Sequence, residues 1–150
     1  MKITKISVSK TELPFFKPYF LSGGRLRYDG LDYVGHSVKI GGDINQDIKR
    51  IRFLEKNRLP GEYIFYDVNR GWTRREAITV MNAVADLGVS IEQPCESLDD
   101  IAAIRPLTSL PISVDESLVS LQDATRIARE GIAEVFSIKL NRVGGLTKAA

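Results

Sequence analysis

The chain has 150 residues, a net charge of +2 and 43% hydrophobic residues, a size and composition typical of one soluble globular domain. Basic and acidic residues are interleaved, and the absence of a basic stripe argues against a nucleic-acid partner. No apolar run approaches the roughly 20 residues of a membrane span, and the N-terminus lacks the apolar segment of a signal peptide. Cys95 is the single cysteine, which excludes an intramolecular disulfide and suits a reducing cytoplasm, where we expect the protein to be located.

Residues 1–34 differ in pattern from the rest of the chain. Apolar and polar residues alternate over 2–13, which predicts a half-exposed strand, and residues 25–34 predict a second, antiparallel strand. Two prolines and the sequence Ser22-Gly23-Gly24 interrupt the stretch between them. We therefore expect an N-terminal β-hairpin with a mobile tip in residues 1–34.

From residue 35 onward, strand and helix patterns alternate with short loops. Apolar segments at 36–40, 63–66, 88–91, 111–114 and 134–140 predict strands. Helices are predicted over about 43–57, after residues spaced as N-caps at Thr73, Ser97 and Ser120, and after residue 145. Such alternation predicts an α/β fold with a parallel sheet built from right-handed crossovers.

A polar residue recurs at the end of each predicted strand of this region: Lys39, Asp67, Glu92, Asp115 and Lys139. Successive members are 23 to 28 residues apart, close to the ~31 residues per unit of a (β/α)8 barrel. The chain has room for about five such units. We therefore predict a partial TIM-type barrel over residues 35–150, preceded by the N-terminal hairpin as a separate segment.

Three acids at consecutive strand ends would lie side by side, because neighbouring strands are about 5 Å apart. Bare carboxylates at that distance repel one another, whereas a divalent cation between them makes the arrangement favourable. Ligands that are all oxygen select a hard ion such as Mg²⁺. Asp67, Glu92 and Asp115 are therefore candidate Mg²⁺ ligands, although acids at strand ends are also commonly solvated or cap the next helix.

Lys39 and Lys139 flank the three acids. A lysine near a cation inside a pocket has its charged form disfavoured, and it can then act as a general base. Alternatively, both lysines are simple counter-ions of the carboxylates, and residue types do not separate these interpretations. Ser37 shares a strand face with Lys39 by alternation, which places it beside the same site.

Several motifs together resemble the enolase superfamily, in its mandelate racemase/muconate lactonizing group. They are DVNRGW at 67–72, IEQPC at 91–95, DES at 115–117 and KLNRVGGLT at 139–147. Residues 18–26 and 36–42 further resemble the cis-3-hydroxy-L-proline dehydratases of that superfamily. The order and spacing of the whole set are more specific than any single motif.

The resemblance implies a role for each candidate residue. Asp67, Glu92 and Asp115 match the Mg²⁺ ligands, and Lys39 and Lys139 match the lysines that move the α-proton of a carboxylate substrate. The implied activity is elimination of water from a cyclic hydroxy-amino acid by a hydro-lyase; racemisation or epimerisation of proline derivatives is the alternative. The resemblance also implies four residues that bind the substrate or support the ligands. They are Ser22, in a flap that covers the substrate, Ser37, Asn69 and Asn141.

The resemblance also implies that parts of the family fold are missing. Residues 1–34 correspond to a remnant of a capping domain, and residue 34 runs directly into the second barrel strand at 35. The last two barrel strands have no counterpart, so we expect an internally shortened and C-terminally truncated relative of enzymes that commonly form homo-oligomers. An inactive fragment, or a phosphate-binding α/β module using Gly41-Gly42 and Gly144-Gly145, is the alternative of another class.

Overall fold

The computed structural model describes residues 25–27, 34–139, 141–142 and 144–145. In these ranges no helix has both the length and the apolar character needed to cross a membrane. The predicted strand over 2–13, the flap containing Ser22 and the helix predicted after residue 145 lie outside the described residues.

Within the described residues, six strands form one sheet whose spatial order is the order of the chain. The strands are β1 (Arg25–Arg27), β2 (Val34–Lys39), β3 (Glu62–Asp67), β4 (Ser90–Glu92), β5 (Ile112–Val114) and β6 (Val135–Phe136). Strand β1 pairs antiparallel with β2, whereas β2 to β6 are parallel to one another. The helices are α1 (Ile44–Asn57), α2 (Arg74–Ala83), α3 (Leu98–Ile104) and α4 (Leu121–Glu130).

Each parallel strand except β6 is followed by a helix and then by its neighbour in the sheet, which is the repeating unit of a barrel. The predicted α/β class and the five parallel strands of a partial barrel are therefore confirmed. Strand β2 begins at Val34 and pairs with β1 in the same sheet. The division of the chain into two segments at residue 34 stays a prediction.

The strand predicted over 134–140 is wrong in length, because β6 covers only Val135–Phe136. The Ser137 amide still donates to the Val114 carbonyl over 2.9 Å, which is the last link to β5 along this segment. The Arg142 amide then donates to the Lys139 carbonyl over 2.9 Å and closes a turn. Lys139 therefore lies on a turn beyond the strand.

The core lies between the sheet and the helices. Alternate side chains of the strands, such as Tyr66, Ile91 and Ile112, are fully buried and join one cluster with helix residues such as Ile51 and Ile101. This periodicity leaves the other set of side chains on the opposite face of the sheet. Because register pairs Lys39 with Asp67 and Asp67 with Glu92, the polar strand ends share that second face.

That second face also carries exposed aromatic rings on β3. Tyr63 and Phe65 are 47% and 37% exposed, with their ring centroids 4.6 Å apart in an edge-to-face arrangement. The sheet thus has one face covered by helices and one that bears the candidate site.

The helices begin at the residues that the sequence predicts as caps. Thr73 and Ser97 form reciprocal capping boxes with Glu76 and Asp100. Such pairs satisfy backbone N–H groups that the first helical turn leaves free.

Acid is expected to weaken the cap of α3. The pKa of Asp100 lies below its ordinary value because the Ser97 hydroxyl donates to its carboxylate and Arg74 pairs with it. A carboxyl group whose pKa is lowered by folding stabilises the fold at pH values above its pKa in the unfolded chain, about 3.9. This stabilisation is lost as the pH falls through the pKa of the group in the folded chain. Asp100→Asn should therefore flatten the acid side of the plot of urea-unfolding midpoint against pH. An equally steep decline in the variant would contradict this.

Candidate active site

The polar strand ends form a row across the sheet. In the register of the parallel strands, Lys39 lies opposite Asp67, and Asp67 lies opposite Glu92. Asp115 immediately follows β5, and Lys139 follows β6 by three residues. The tertiary structure therefore places on one row five residues of which the first and last are 100 positions apart in the sequence.

Lys39, Asp67 and Asn69 form one end of the row. The Lys39 ammonium pairs with Asp67 Oδ2 and also donates to Asn69 Oδ1 over 2.7 Å. The backbone N–H of Asn69 donates to Asp67 Oδ1 over 3.0 Å, so both carboxylate oxygens are engaged. Asn69 has a left-handed backbone (φ 48°), which asparagine tolerates better than most residues. The turn after β3 thereby places Asn69 against both the base candidate and the acid.

Asp115, Lys139 and Arg142 form the other end. The Lys139 ammonium pairs with Asp115 Oδ2, and Arg142 Nη1 donates to Asp115 Oδ1 over 2.7 Å and to the Asp115 carbonyl. Asp115 is almost fully buried, whereas the Lys139 side chain is half exposed. Each outer carboxylate is thus paired with a lysine that remains accessible from the open face.

Glu92 lies between these two ion pairs. Ser137 Oγ donates to Glu92 Oε1 over 2.7 Å, whereas Lys39 and Lys139 form their ion pairs with the two other acids. Burial raises the pKa of Glu92, and the charges of Asp67 and Asp115 raise it further; the Ser137 hydrogen bond and Lys39 oppose this shift. Added positive charge at the centre of the row would favour the ionised form of all three acids.

The donors of the row suit Mg²⁺ in their chemistry, because all three are carboxylates. Within the described residues, no three His, Cys, Asp or Glu side chains are grouped so that they could hold a metal ion. The Lys39 and Lys139 ammonium groups each lie against a carboxylate oxygen that a cation would use. The residues fit the ion by type, and holding it would require the lysines to withdraw from these oxygens.

The remaining predicted residues differ in their placement. Ser37 is exposed and lies two residues before Lys39, opposite Phe65 in the register. Asn141 is exposed in the turn that follows Lys139. Ser22 lies outside the described residues. The roles of these residues in binding a substrate stay predictions.

Three residues of the site are not among the site residues that the sequence predicts. Gln93, Arg142 and Glu116 all contact members of the row or the turns that carry them. Arg142 follows Lys139 by three residues, a spacing that brings the two onto one turn, but sequence alone does not say which carboxylate it meets. Glu116 accepts a hydrogen bond of 2.9 Å from Asn69, and only the packing of neighbouring loops reveals this link.

Cys95 is expected to react slowly in the folded protein. The thiol is 1% exposed, and burial raises its pKa from 9.0 to about 11. That shift lowers the thiolate fraction at pH 8 about 100-fold. Alkylation by iodoacetamide at pH 8 should therefore be at least about 100-fold slower in buffer than in urea-unfolded chain. Equal rates under the two conditions would contradict the buried placement.

The fold and the site together place this protein in the class of (β/α)-barrel proteins with an acid–base site at the carboxyl ends of the strands, here made of three acids and two lysines. Comparison with known families agrees with this class. Residues 25–150 match the family described as Enolase C-terminal domain-like. The chain belongs to this family.

A curated relative and two solved structures are among the most similar proteins. Cis-3-hydroxy-L-proline dehydratase of Roseibium aggregatum is 38% identical over 122 residues, covering 81% of this chain and 33% of the relative. A mandelate racemase/muconate lactonizing enzyme homologue from Silicibacter pomeroyi is 69% identical with a TM-score of 0.75, covering 77% of this chain and 32% of that one. An enolase superfamily member from Roseovarius nubinhibens ISM, complexed with magnesium, is 42% identical with a TM-score of 0.74, covering 77% and 31%.

Other relatives include epimerases and muconate cycloisomerases. The chain spans about a third of the length of the curated relatives it matches.

Proposed function

We propose that this chain carries the acid–base centre of a Mg²⁺-dependent hydro-lyase that acts on a cyclic hydroxy-amino acid, with cis-3-hydroxy-L-proline as the favoured substrate. The observation that carries the proposal is the row Lys39, Asp67, Glu92, Asp115 and Lys139, with one lysine at each end. Two bases on opposite sides of an acidic centre suit the removal of a proton and the return of one from the other side.

The relatives support both the ion and the substrate. A similar solved structure is complexed with magnesium, and the dehydratase relative is named for cis-3-hydroxy-L-proline. Asp67, Glu92 and Asp115 would hold Mg²⁺, which when bound would polarise the substrate carboxylate and make the adjacent α-proton more acidic.

The two lysines would divide the proton transfers. One neutral lysine takes the α-proton at Nζ. As the C3–O bond breaks, the electron pair left by the proton forms the C2–C3 double bond, and the departing hydroxyl takes a proton from the ammonium of the other lysine and leaves as water. The product is an enamine, which tautomerises to a cyclic imine acid. The half-exposed Lys39 and Lys139 can both reach a substrate on the open face.

A racemase or epimerase is the second candidate function. It would use the same lysines and the same α-proton, but the second lysine would return a proton to the opposite face without loss of the hydroxyl. The epimerases among the relatives favour this candidate.

Isotope exchange separates these activities. The chain is incubated with Mg²⁺ and cis-3-hydroxy-L-proline in D₂O, and α-deuteration and imine formation are followed by NMR. Imine formation supports the dehydratase. Exchange without imine formation supports the epimerase instead. If neither occurs while circular dichroism shows a folded chain, both activities are overturned for this chain.

The metal assignment has its own test. Asp67→Asn should abolish Mg²⁺ binding measured by titration calorimetry, because it removes one of the three anionic ligands. Asp43→Asn is the matched control: Asp43 caps α1 outside the row, and asparagine caps helices equally well. Unchanged binding by Asp67→Asn would exclude Asp67 as a ligand.

A further inference from the structure

Gln93 joins the three turns that carry the acids of the row. It directly follows Glu92 at the end of β4, its side chain is fully buried, and its backbone is left-handed at φ 43°. A left-handed conformation is unfavourable for glutamine and persists when surrounding contacts enforce it. The contacts of Gln93 therefore indicate what this strained position does.

The Gln93 side chain is hydrogen-bonded to the turn after β5. Its Oε1 accepts from the backbone N–H groups of Asp115 and Ser117 over 3.2 and 3.1 Å. Its Nε2 donates to Ser117 Oγ over 2.6 Å and to the Cys95 carbonyl over 3.0 Å. Two acceptor sites and two donor hydrogens are the full hydrogen-bonding capacity of a glutamine amide, and all four are used.

The Gln93 backbone is hydrogen-bonded to strand β5 and to the turn after β3. Its N–H donates to the Ser113 carbonyl of β5 over 2.8 Å. Its carbonyl accepts from the Arg70 N–H over 2.9 Å, in the turn that follows Asp67. One residue thus links the turns after β3, β4 and β5.

We propose that Gln93 is a positioning residue that sets the spacing of Asp67, Glu92 and Asp115. Its side chain holds the Asp115 amide, while its backbone holds both the Asp67 turn and the end of the Glu92 strand. Metal centres depend on such supporting hydrogen bonds, because carboxylates on unsupported turns do not hold a fixed geometry. The functional part of this inference rests on the proposed Mg²⁺ site, whereas the structural part does not.

Two variants test the inference by amide hydrogen exchange and by Mg²⁺ titration. Gln93→Met keeps the length of the side chain without its polar atoms, and Gln93→Asn keeps the amide and tolerates the left-handed backbone but is one methylene shorter. In both variants the exchange protection of Asp115 and Ser117 should fall about 10-fold or more, while that of Arg70, which bonds to the Gln93 backbone, changes less. Mg²⁺ affinity should fall about 10- to 100-fold.

A destabilised control separates positioning from general stability. Ile101→Ala leaves a cavity beneath α3, away from the row, and lowers the urea-unfolding midpoint without touching Gln93. It should retain Mg²⁺ affinity and the local protection of Asp115 and Ser117 relative to neighbouring amides. If the Gln93 variants behave like Ile101→Ala in both measurements, the positioning role is overturned. Should Gln93→Met fail to fold, the Asn variant decides.

The outcome also distinguishes this inference from the proposed function. If the unmodified chain shows no Mg²⁺ binding, the Mg²⁺ site is lost, yet amide protection still decides whether Gln93 holds the Asp115 turn. If Mg²⁺ binds the unmodified chain and both Gln93 variants with equal affinity, the proposed metal site stands and the positioning role falls.

Discussion

Replacing Asp47 with alanine is expected to destabilise the folded chain by about 3–5 kcal/mol, because it removes a buried carboxylate that accepts three hydrogen bonds, one of them from a buried indole N–H. Asp47 is 1% exposed in the first turn of α1. A loss of this size is a large fraction of the ~5–15 kcal/mol that usually separates folded and unfolded states. We therefore expect the variant to be partly unfolded at room temperature.

The effect follows from three hydrogen bonds to one carboxylate oxygen. Asp47 Oδ2 accepts from the N–H groups of Gly41 and Gly42 over 2.9 and 3.1 Å, and from the Trp72 indole N–H over 3.1 Å. Asp47 Oδ1 faces Arg50 at 3.4 Å. Alanine would leave the three donors without this acceptor, and the Trp72 donor is deeply buried.

These bonds also hold together the turns that carry Lys39 and Asp67. A Cβ atom on Gly71 would lie 2.4 Å from the Gly41 carbonyl oxygen, so the two turns pack with no space for a side chain. Gly41 has φ +108°, a conformation that glycine adopts readily. Loss of Asp47 should therefore loosen one end of the acidic row as well as the fold.

Asp47→Asn is the matched variant for this prediction. Its amide oxygen can replace Oδ2 for all three donors, while its NH₂ group faces Arg50 in place of an oxygen. We expect the asparagine variant to lose well under half of the stability lost by alanine, as measured by urea unfolding at pH 7. Equal losses would show that the charge, and not the three hydrogen bonds to Oδ2, is what matters.

Replacing either flanking lysine with methionine is expected to slow imine formation by about 10²- to 10⁴-fold, the usual contribution of a positioned general acid or base. Lys39 and Lys139 contact opposite acids of the row, so neither can take the place of the other. If Lys39 and Lys139 act on opposite faces of the substrate, only one variant should block proton abstraction, whereas the other should block the later protonation. Single-turnover measurements in D₂O would separate these two defects.

Arginine at the same positions distinguishes a base from a counter-ion. An arginine keeps the positive charge beside Asp67 or Asp115 but cannot be deprotonated in a protein. If the lysines are bases, Lys139→Arg should be as inactive as Lys139→Met. Substantial imine formation by the arginine variant would indicate that charge alone is needed. Lys56→Met, at an exposed position in the last turn of α1, is the control and should leave imine formation unchanged.

Much of the fold follows from local sequence pattern. The caps at Thr73 and Ser97 are confirmed because capping depends on residues only three positions apart. The parallel strands are confirmed because their apolar segments recur with helices between them. The predicted length of β6 is wrong because the apolar pattern of 134–140 continues past the last bond to β5, and sequence alone does not reveal where pairing stops.

The sequence by itself determined the α/β class, the family and the five polar strand ends, since each depends on spacing along the chain. Only the tertiary structure decided which groups meet across the row: Asn69 with Lys39, Ser137 with Glu92, and Arg142 with Asp115. The linking roles of Gln93 and Asp47 also came only from the tertiary structure. Such contacts join residues that are far apart in the chain or on different turns, and their partners are set by strand register and by the close packing of turns, which no local pattern encodes.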